Sequence, residues 1–368
     1  MPGIGGVTIS PLINLGARRS GASALTFTTD ASTDSQNQSW TVKFPVGKSI
    51  TVDWGDGNTD TINGNGTINV NFTHTYATVA SRTINIKGDY ILLTYISSTS
   101  NGLLTTDLSG LVNLTYLDLA NNSLTDIGIL SSLDNLIILR LYNNSLTDIG
   151  DLSGLVNLTY LHLANNSLTD IGDLSGLVNL TSLNLYNNSL TDIGILSGLV
   201  NLTSLSLYNN SLTDIGDLSG LVNLTFLSLY NNSLTDIGIL SGLVNLNYLH
   251  LASNSLTDIG DLSGLVNLTF LYLSINSLTA WTFDHGSVAL SILYCSNNLF
   301  PTSELDLGLS RLKTFYVDGD NAPTVNLTLD ISGPSNGIPT GGSSNTDLVA
   351  LSNYFSSKGK ILIATVNT

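Results

Sequence analysis

The sequence predicts a repeat solenoid with a parallel β-sheet on its concave face and short 3-10 or extended segments on its convex face, preceded by a β-sandwich. Three observations carry this expectation. A 22-residue unit begins at Leu108, Leu130, Leu152, Leu174, Leu196, Leu218, Leu240 and Leu262, and self-similarity at such a period is the mark of a repeat architecture. Within each unit apolar and polar residues alternate, as at Tyr116-Leu117-Asp118-Leu119-Ala120, the period of a strand with one buried face. Upstream, short alternating runs such as WTVKF and SITVDW are divided by Gly, Asn and Asp, which read as turns between strands.

Taken in order, residues 1–23 read as a flexible arm rich in Gly, Ser and Pro. Residues 24–88 read as the β-sandwich. Residues 89–321 read as the solenoid, with eight full units over 108–283 and degenerate units at both ends. Leu92 and Tyr95 fit the upstream degenerate unit; Leu290, Leu293, Cys295 and Asn298, then more loosely Leu312, Phe315, Val317 and Asp320, fit the downstream ones. Residues 322–368 read as a C-terminal cap of loop, helix and strand. There Leu348, Leu351 and Phe355 fall at helical spacing, with a cap at Asn345 or Thr346 and a stop at Gly359.

One strand cannot bury its leucines alone, so successive units must stack to share a core. Asn122, Asn144, Asn166, Asn188, Asn210, Asn232, Asn254 and Asn276 recur in phase and are expected to form an internal ladder that satisfies backbone groups where the chain leaves the sheet. Aspartates recur in every TDIG segment. They read either as a stripe of cation ligands or as side chains that cap turn amides in their own unit, and the second reading is preferred.

Composition narrows the function. The chain has 368 residues and a net charge of −16, with 11 Lys+Arg against 27 Asp+Glu. Phosphate-backbone binding needs clustered cations, so no nucleic-acid partner is expected. Glu304 is the only glutamate, and the preponderance of Asp favours turns over helices. No apolar run is long enough for a membrane-spanning helix, so no membrane insertion is expected. Cys295 is the only cysteine; it occupies a core Leu position and reads as an inert buried thiol. The N-terminal stretch is not a convincing signal peptide, because Arg18 and Arg19 follow its weakly apolar run rather than precede it. None of the common nucleophile, phosphate-loop or zinc motifs is present. His74 reads as structural, His162 and His250 lie four units apart, and His285 beside Asp284 falls in an irregular loop. No enzymatic activity, cofactor or metal is expected.

The LxxLxLxxNxL pattern resembles the leucine-rich repeat family, and the 22-residue period with its LTDI segment resembles the internalin-type bacterial class. Val52-Asp53-Trp54-Gly55-Asp56-Gly57, with His74-Thr75-Tyr76 and the strand RTINIKG, resembles the PKD-type immunoglobulin-like sandwich, which carries a WxFGDG-like turn and a later HTY. That second resemblance implies a spacer or contact module and no catalysis.

Variation among the units concentrates at three outward strand positions. From these the candidate ligand-binding residues are Tyr116, Asp118, Arg140, Tyr142, Tyr160, His162, Asn184, Tyr186, Ser206, Tyr208, Phe226, Tyr230, Tyr248, His250, Phe270 and Tyr272. Tyr, Ser and Asn are the residues adaptable binding surfaces use, and aligned exposed aromatic residues exceed ordinary surface scatter. The expected function is recognition of a protein or glycan by this face, without catalysis. The Gly-rich arm with its two arginines is similar to N-terminal segments of phage structural proteins. Extracellular-type modules on a chain without a convincing signal peptide imply release by another route, so the expected setting is a phage virion, as a head decoration or tail fibre serving host attachment, with the arm or the PKD-like segment contacting other virion proteins. A bacterial surface or secreted adhesin is the alternative, and an intracellular scaffold the third.

Overall fold

The computed structural model describes residues 24–30, 36–281, 290–313, 327–332, 346–357 and 362–365. The arm at 1–23, the Asp284–His285 pair, Phe315, Val317, Asp320, Asn345 and Gly359 lie outside the described residues.

The chain begins with β1 (Leu25–Thr29), β2 (Asn37–Lys43), β3 (Ser49–Asp53), β4 (Thr59–Asn63), β5 (Val70–Thr75) and β6 (Thr83–Gly88). Two more strands follow, β7 (Tyr95–Ser97) and β8 (Leu103–Asp107). A five-stranded antiparallel sheet runs β4-β3-β6-β1-β8, and opposite it β5-β2-β7 form the second layer. Phe27 on β1 meets Trp40 on β2 edge to face at 4.7 Å, and both are buried, so the two sheets share one core.

The solenoid grows directly out of this sandwich. One three-residue strand per unit, β9 (Tyr116–Asp118) through β16 (Phe270–Tyr272), then β17 (Ile292–Tyr294), stack in parallel and in register. The row starts on β7, which pairs with β9 on one side and β2 on the other, so a single 14-stranded sheet crosses from sandwich to solenoid. The far wall is continuous as well. Ser123 and Thr125 donate their N–H groups to Leu103 and Leu104 on β8, whose other edge pairs with β1. Strands β7 and β8 therefore belong to both bodies and lie beyond residue 88, where sequence reading ends the sandwich. Asn101 pins the junction: its amide donates to the carbonyl of Ser39 at 2.8 Å and accepts the Ser39 N–H at 2.9 Å.

This sharing shifts the first unit by one residue. Tyr95 pairs with Tyr116 and Ile96 with Leu117, a spacing of 21, so Leu93 and Ile96 are the buried residues there, in place of Leu92 and Tyr95. Each full unit buries its leucines, and the first seven bury their TDIG isoleucine, almost completely. At about 1.5–3 kcal/mol per buried leucine side chain, this stack is the main source of stability. Between the first leucine of a unit and its strand lie two successive 3-10-type turns, as in Leu133 N–H to Leu130 C=O and Leu136 N–H to Leu133 C=O.

At the far end Trp281 takes the place of the isoleucine and is buried under α1 (Thr302–Lys313). Any Cβ on Gly308 would collide with the Trp281 indole, so glycine is required for that close approach. Glu304 accepts the Trp281 N–H at 2.9 Å, and Arg311 donates to its carbonyl at 2.7 Å. Leu312 is thus a helix residue, not part of a further repeat strand; the strand after β17 is β18 (Leu327–Asp330). The helix α2 (Thr346–Ser357) and β19 (Leu362–Thr365) complete the sheet edge, with Leu348 and Leu351 buried.

Candidate functional site

The outward face of the solenoid sheet is built on a framework of asparagines. Asn188 is representative: its amide nitrogen lies within 3.0–3.4 Å of the carbonyls of Leu163, Leu185 and Tyr186, and its oxygen accepts the Leu168 N–H at 3.0 Å. The same set recurs from Asn122 to Asn276 and extends to Asn298. Each ladder residue links two or three consecutive units, so the strands are held at a fixed spacing. Just before the ladder, Asn121, Asn143, Asn165, Asn187, Asn209 and Asn231 adopt positive φ between 53° and 55°. Asparagine tolerates that region best after glycine, which accounts for its recurrence there, although Ser253 and Ile275 take the same conformation in the last two full units.

In TDIG, Asp126, Asp148, Asp170, Asp192, Asp214, Asp236 and Asp258 each accept the N–H of the glycine two residues on. These are turn-capping carboxylates. Among the described residues no three His, Cys, Asp or Glu side chains gather as a metal site.

On this scaffold the rings among the sixteen candidate residues form rows that run from unit to unit. Tyr95 lies flat on Tyr116 at 4.2 Å. Arg140 donates to the Tyr116 hydroxyl at 2.8 Å, pairs with Asp118 at 3.6 Å and lies over the rings of Tyr116 and Tyr160. Tyr142 stacks on His162 at 4.5 Å, His162 meets Tyr186 at 5.8 Å, and Tyr186 stacks on Tyr208 at 4.4 Å. Further along, Phe226 stacks on Tyr248 and Tyr248 approaches Phe270, while Tyr230 stacks on His250 and His250 meets Tyr272 at a tilt, with centroids 4.7 Å apart. Asn184 donates to Ser182 beside the row.

Packing this close covers part of the face. Asp118 and Ser206 are buried, and so are Ala120 and Ala164, although alternation places all four outward. These positions support the aromatic rows and offer little surface. His162 and His250 are also largely covered, and burial pushes both imidazoles down to about 4; the Arg140 charge adds to the effect at His162. Among the described residues the Nε2 of His162 has no hydrogen-bond partner. Burial raises the hydroxyls of Tyr208, Tyr248 and Tyr272, so they remain neutral donors. Tyr95 and Tyr294 join the rows although sequence reading left them out. Tyr294 was legible, because it stands one repeat beyond Tyr272; the one-residue phase shift hid Tyr95.

Two other polar clusters stand apart. His74 stacks on Trp54 at 4.7 Å and meets Asp56 at 2.8 Å, while Asp56 also accepts the Asn58 N–H. Burial opposes ionisation of Asp56, but the Asn58 N–H and His74 hold its carboxyl below the usual range. The Tyr76 hydroxyl donates to the Trp54 carbonyl. The sandwich motif is thus an interlocked turn, with its histidine bonded inside. Cys295 is buried, and burial raises its thiol well above the usual range, away from the reactive thiolate.

The family model described as leucine rich repeats (2 copies) matches overlapping windows from 112–155 to 244–285. Among solved structures, the functional domain of InlJ from Listeria monocytogenes, which includes a cysteine ladder, is 28% identical with a TM-score of 0.55; the match covers 70% of this chain and 52% of that one. The chain thus spans about half the length of that domain. With Cys295 as its only cysteine, it has no cysteine ladder of its own. An internalin (inlF) from Listeria monocytogenes str. 4b F2365 is 26% identical over 75% of this chain and 87% of that one, with a TM-score of 0.49. No curated protein sequence matches. No helix among the described residues is long and apolar enough to cross a membrane.

Proposed function

Starting from a solenoid of leucine-rich repeats of the internalin-like class, we propose that the chain is a non-enzymatic adhesion protein that recognises a protein or glycan through its concave aromatic rows. One observation carries this reading. The leucines, ladder asparagines and TDIG turns barely change from unit to unit, whereas the concave positions change and assemble rings into stacks that span the units. Preassembled rings lose little side-chain entropy on binding, and binding energy concentrates in such anchors. The PKD-like segment, as an immunoglobulin-like sandwich, is the rigid mount from which the solenoid extends.

Two settings fit an adhesive solenoid, display on a phage virion for host attachment and display on a bacterial surface. The likeness to a bacterial internalin domain favours the second. Neighbouring genes separate them: capsid and tail genes mark the first, sorting and secretion genes the second.

The test is joint replacement of Tyr186, Tyr208 and Tyr230 by Ala, read as binding of the labelled chain to a panel of whole bacterial and animal cells. At least about a tenfold loss of binding is expected. Loss of stacking costs about 0.5–1.5 kcal/mol per ring pair, which so large a core can absorb. The outer-loop asparagines are unsuitable controls, because Asn113, Asn157 and Asn201 each donate to a carbonyl of the preceding unit. Ile129, Ile195 and Ile239 are 71%, 76% and 78% exposed and replace them, as Ser variants expected to bind normally. Normal binding by a folded triple-tyrosine variant would remove the concave face from the function.

A further inference from the structure

A second surface is as regular as the concave face is varied. An open groove of about 1280 Å³ runs along the edge where the chain enters its strands, lined between Thr115 and Asn267 by rows of asparagine and threonine. No charged side chain lines it. Seven of the groove asparagines, from Asn135 to Asn267 at intervals of 22, donate one N–H to the preceding unit, as Asn201 does to the Val178 carbonyl at 2.9 Å, whereas Asn247 donates to Thr269 of the following unit. Each groove threonine donates its hydroxyl likewise, as Thr203 does to the Thr181 carbonyl at 2.9 Å. By inventory this leaves the amide oxygen, one amide N–H and the hydroxyl lone pairs for a ligand.

The fold alone does not require this lining. Ile137 replaces the threonine in one unit and Asn247 in another, yet both units keep the same strand register. The hydroxyls at the remaining positions tie each unit to the one before, yet the units at Ile137 and Asn247 show that the register holds without that bond. Immediately before the groove asparagines stand valines such as Val178, Val200 and Val222, each about 45% exposed, which set an apolar strip beside the polar one.

We propose that this groove binds a neutral, unbranched polysaccharide lying along the solenoid axis. A surface that repeats the same contacts unit after unit cannot read a unique sequence; it fits a ligand that is itself periodic. The step is one strand, about 4.8 Å, comparable to one pyranose ring. An extended peptide presents like-facing side chains only every ~6.8 Å, out of phase with the groove. Uncharged walls on a chain of net charge −16 exclude a polyanion. Sugar hydroxyls would donate to the asparagine and threonine oxygens, and ring C–H faces would cover apolar surface.

The test titrates the full chain calorimetrically with neutral linear oligosaccharides, from disaccharide to octasaccharide, in β-1,4, β-1,3 and α-1,4 linked series and an N-acetylglucosamine series. For at least one series affinity should climb with chain length and level off at about six or seven sugars, the length of the groove at ~4.8 Å per unit. Thr181→Ile with Thr203→Ile copies what the chain already tolerates at residue 137, and should weaken the longest ligand about tenfold. The triple-tyrosine variant should bind it unchanged, which separates this site from the concave one. Absence of binding in every series, affinity independent of length, or loss in the tyrosine variant with none in the isoleucine variant would each overturn the proposal.

Discussion

In the sandwich, Trp40 packs against Phe27 and Trp54 against Phe72 across two sheets whose strands come from distant parts of the chain. In the solenoid, Leu205 packs among leucines of its own and adjacent units, and every strand pairs with the unit before and the unit after. The first arrangement depends on contacts of high sequence separation that all form together. The second depends on nearest neighbours, so its stability accumulates unit by unit. The two bodies nevertheless share β7 and β8, and Asn101 ties the asparagine ladder into β2. The sandwich therefore serves as the solenoid's N-terminal cap, replacing the open edge that a parallel array otherwise exposes.

The sharpest test of that contrast removes core volume from each side. Trp40→Ala should cost about 3–5 kcal/mol and Leu205→Ala about 2–5 kcal/mol. Hydrogen exchange should show the tryptophan variant losing protection throughout β1–β8, and the leucine variant only in units near Leu205. Uniform loss in both would mean that sandwich and solenoid unfold as one.

A smaller effect distinguishes the two asparagine rows. Asn188→Ala removes a part-buried set of donated and accepted bonds and should cost about 2–4 kcal/mol; Asn157→Ala removes one exposed bond and should cost about 0.5–1.5 kcal/mol. Equal denaturation midpoints for the two variants would contradict the geometry of the ladder.

The smallest effect is the pH dependence of the concave rows. His162 and His250 titrate near 4 in the folded chain and near 6.5 unfolded. The unfolded chain therefore takes up protons first as pH falls. The stabilisation is complete above 6.5, declines between 6.5 and 4, and is absent below. With partial exposure discounted, it amounts to about 1–2 kcal/mol per histidine. Urea midpoints at pH 7 and pH 4.5 measure it, and His162→Phe with His250→Phe should flatten this part of the slope while keeping the stacks.

Much of the fold was legible because each unit is its own evidence. Leu117 and Leu119 repeat in phase with Asn122, and a pattern copied eight times leaves one register in which all leucines turn inward. The Asp126 turn was legible for the same local reason, since its partner lies two residues away. The candidate face was legible as a set of positions but not as an assembly. That Ala120 is buried, or that Tyr142 lies on His162 rather than in solvent, depends on rings in neighbouring units, whose distances appear only after stacking.

Alternation and period by themselves determined the solenoid, its inward leucines, its ladder and the face on which variation gathers, because these follow from local geometry repeated. Only the tertiary structure decided where the solenoid begins, since β7 and β8 are set by pairing with β2 and β1, dozens of residues away. It also decided how α1 closes the far end over Trp281, where a missing side chain at Gly308 lets helix and indole meet. Contacts between unlike segments leave no period in a sequence, and both ends of this molecule are made of them.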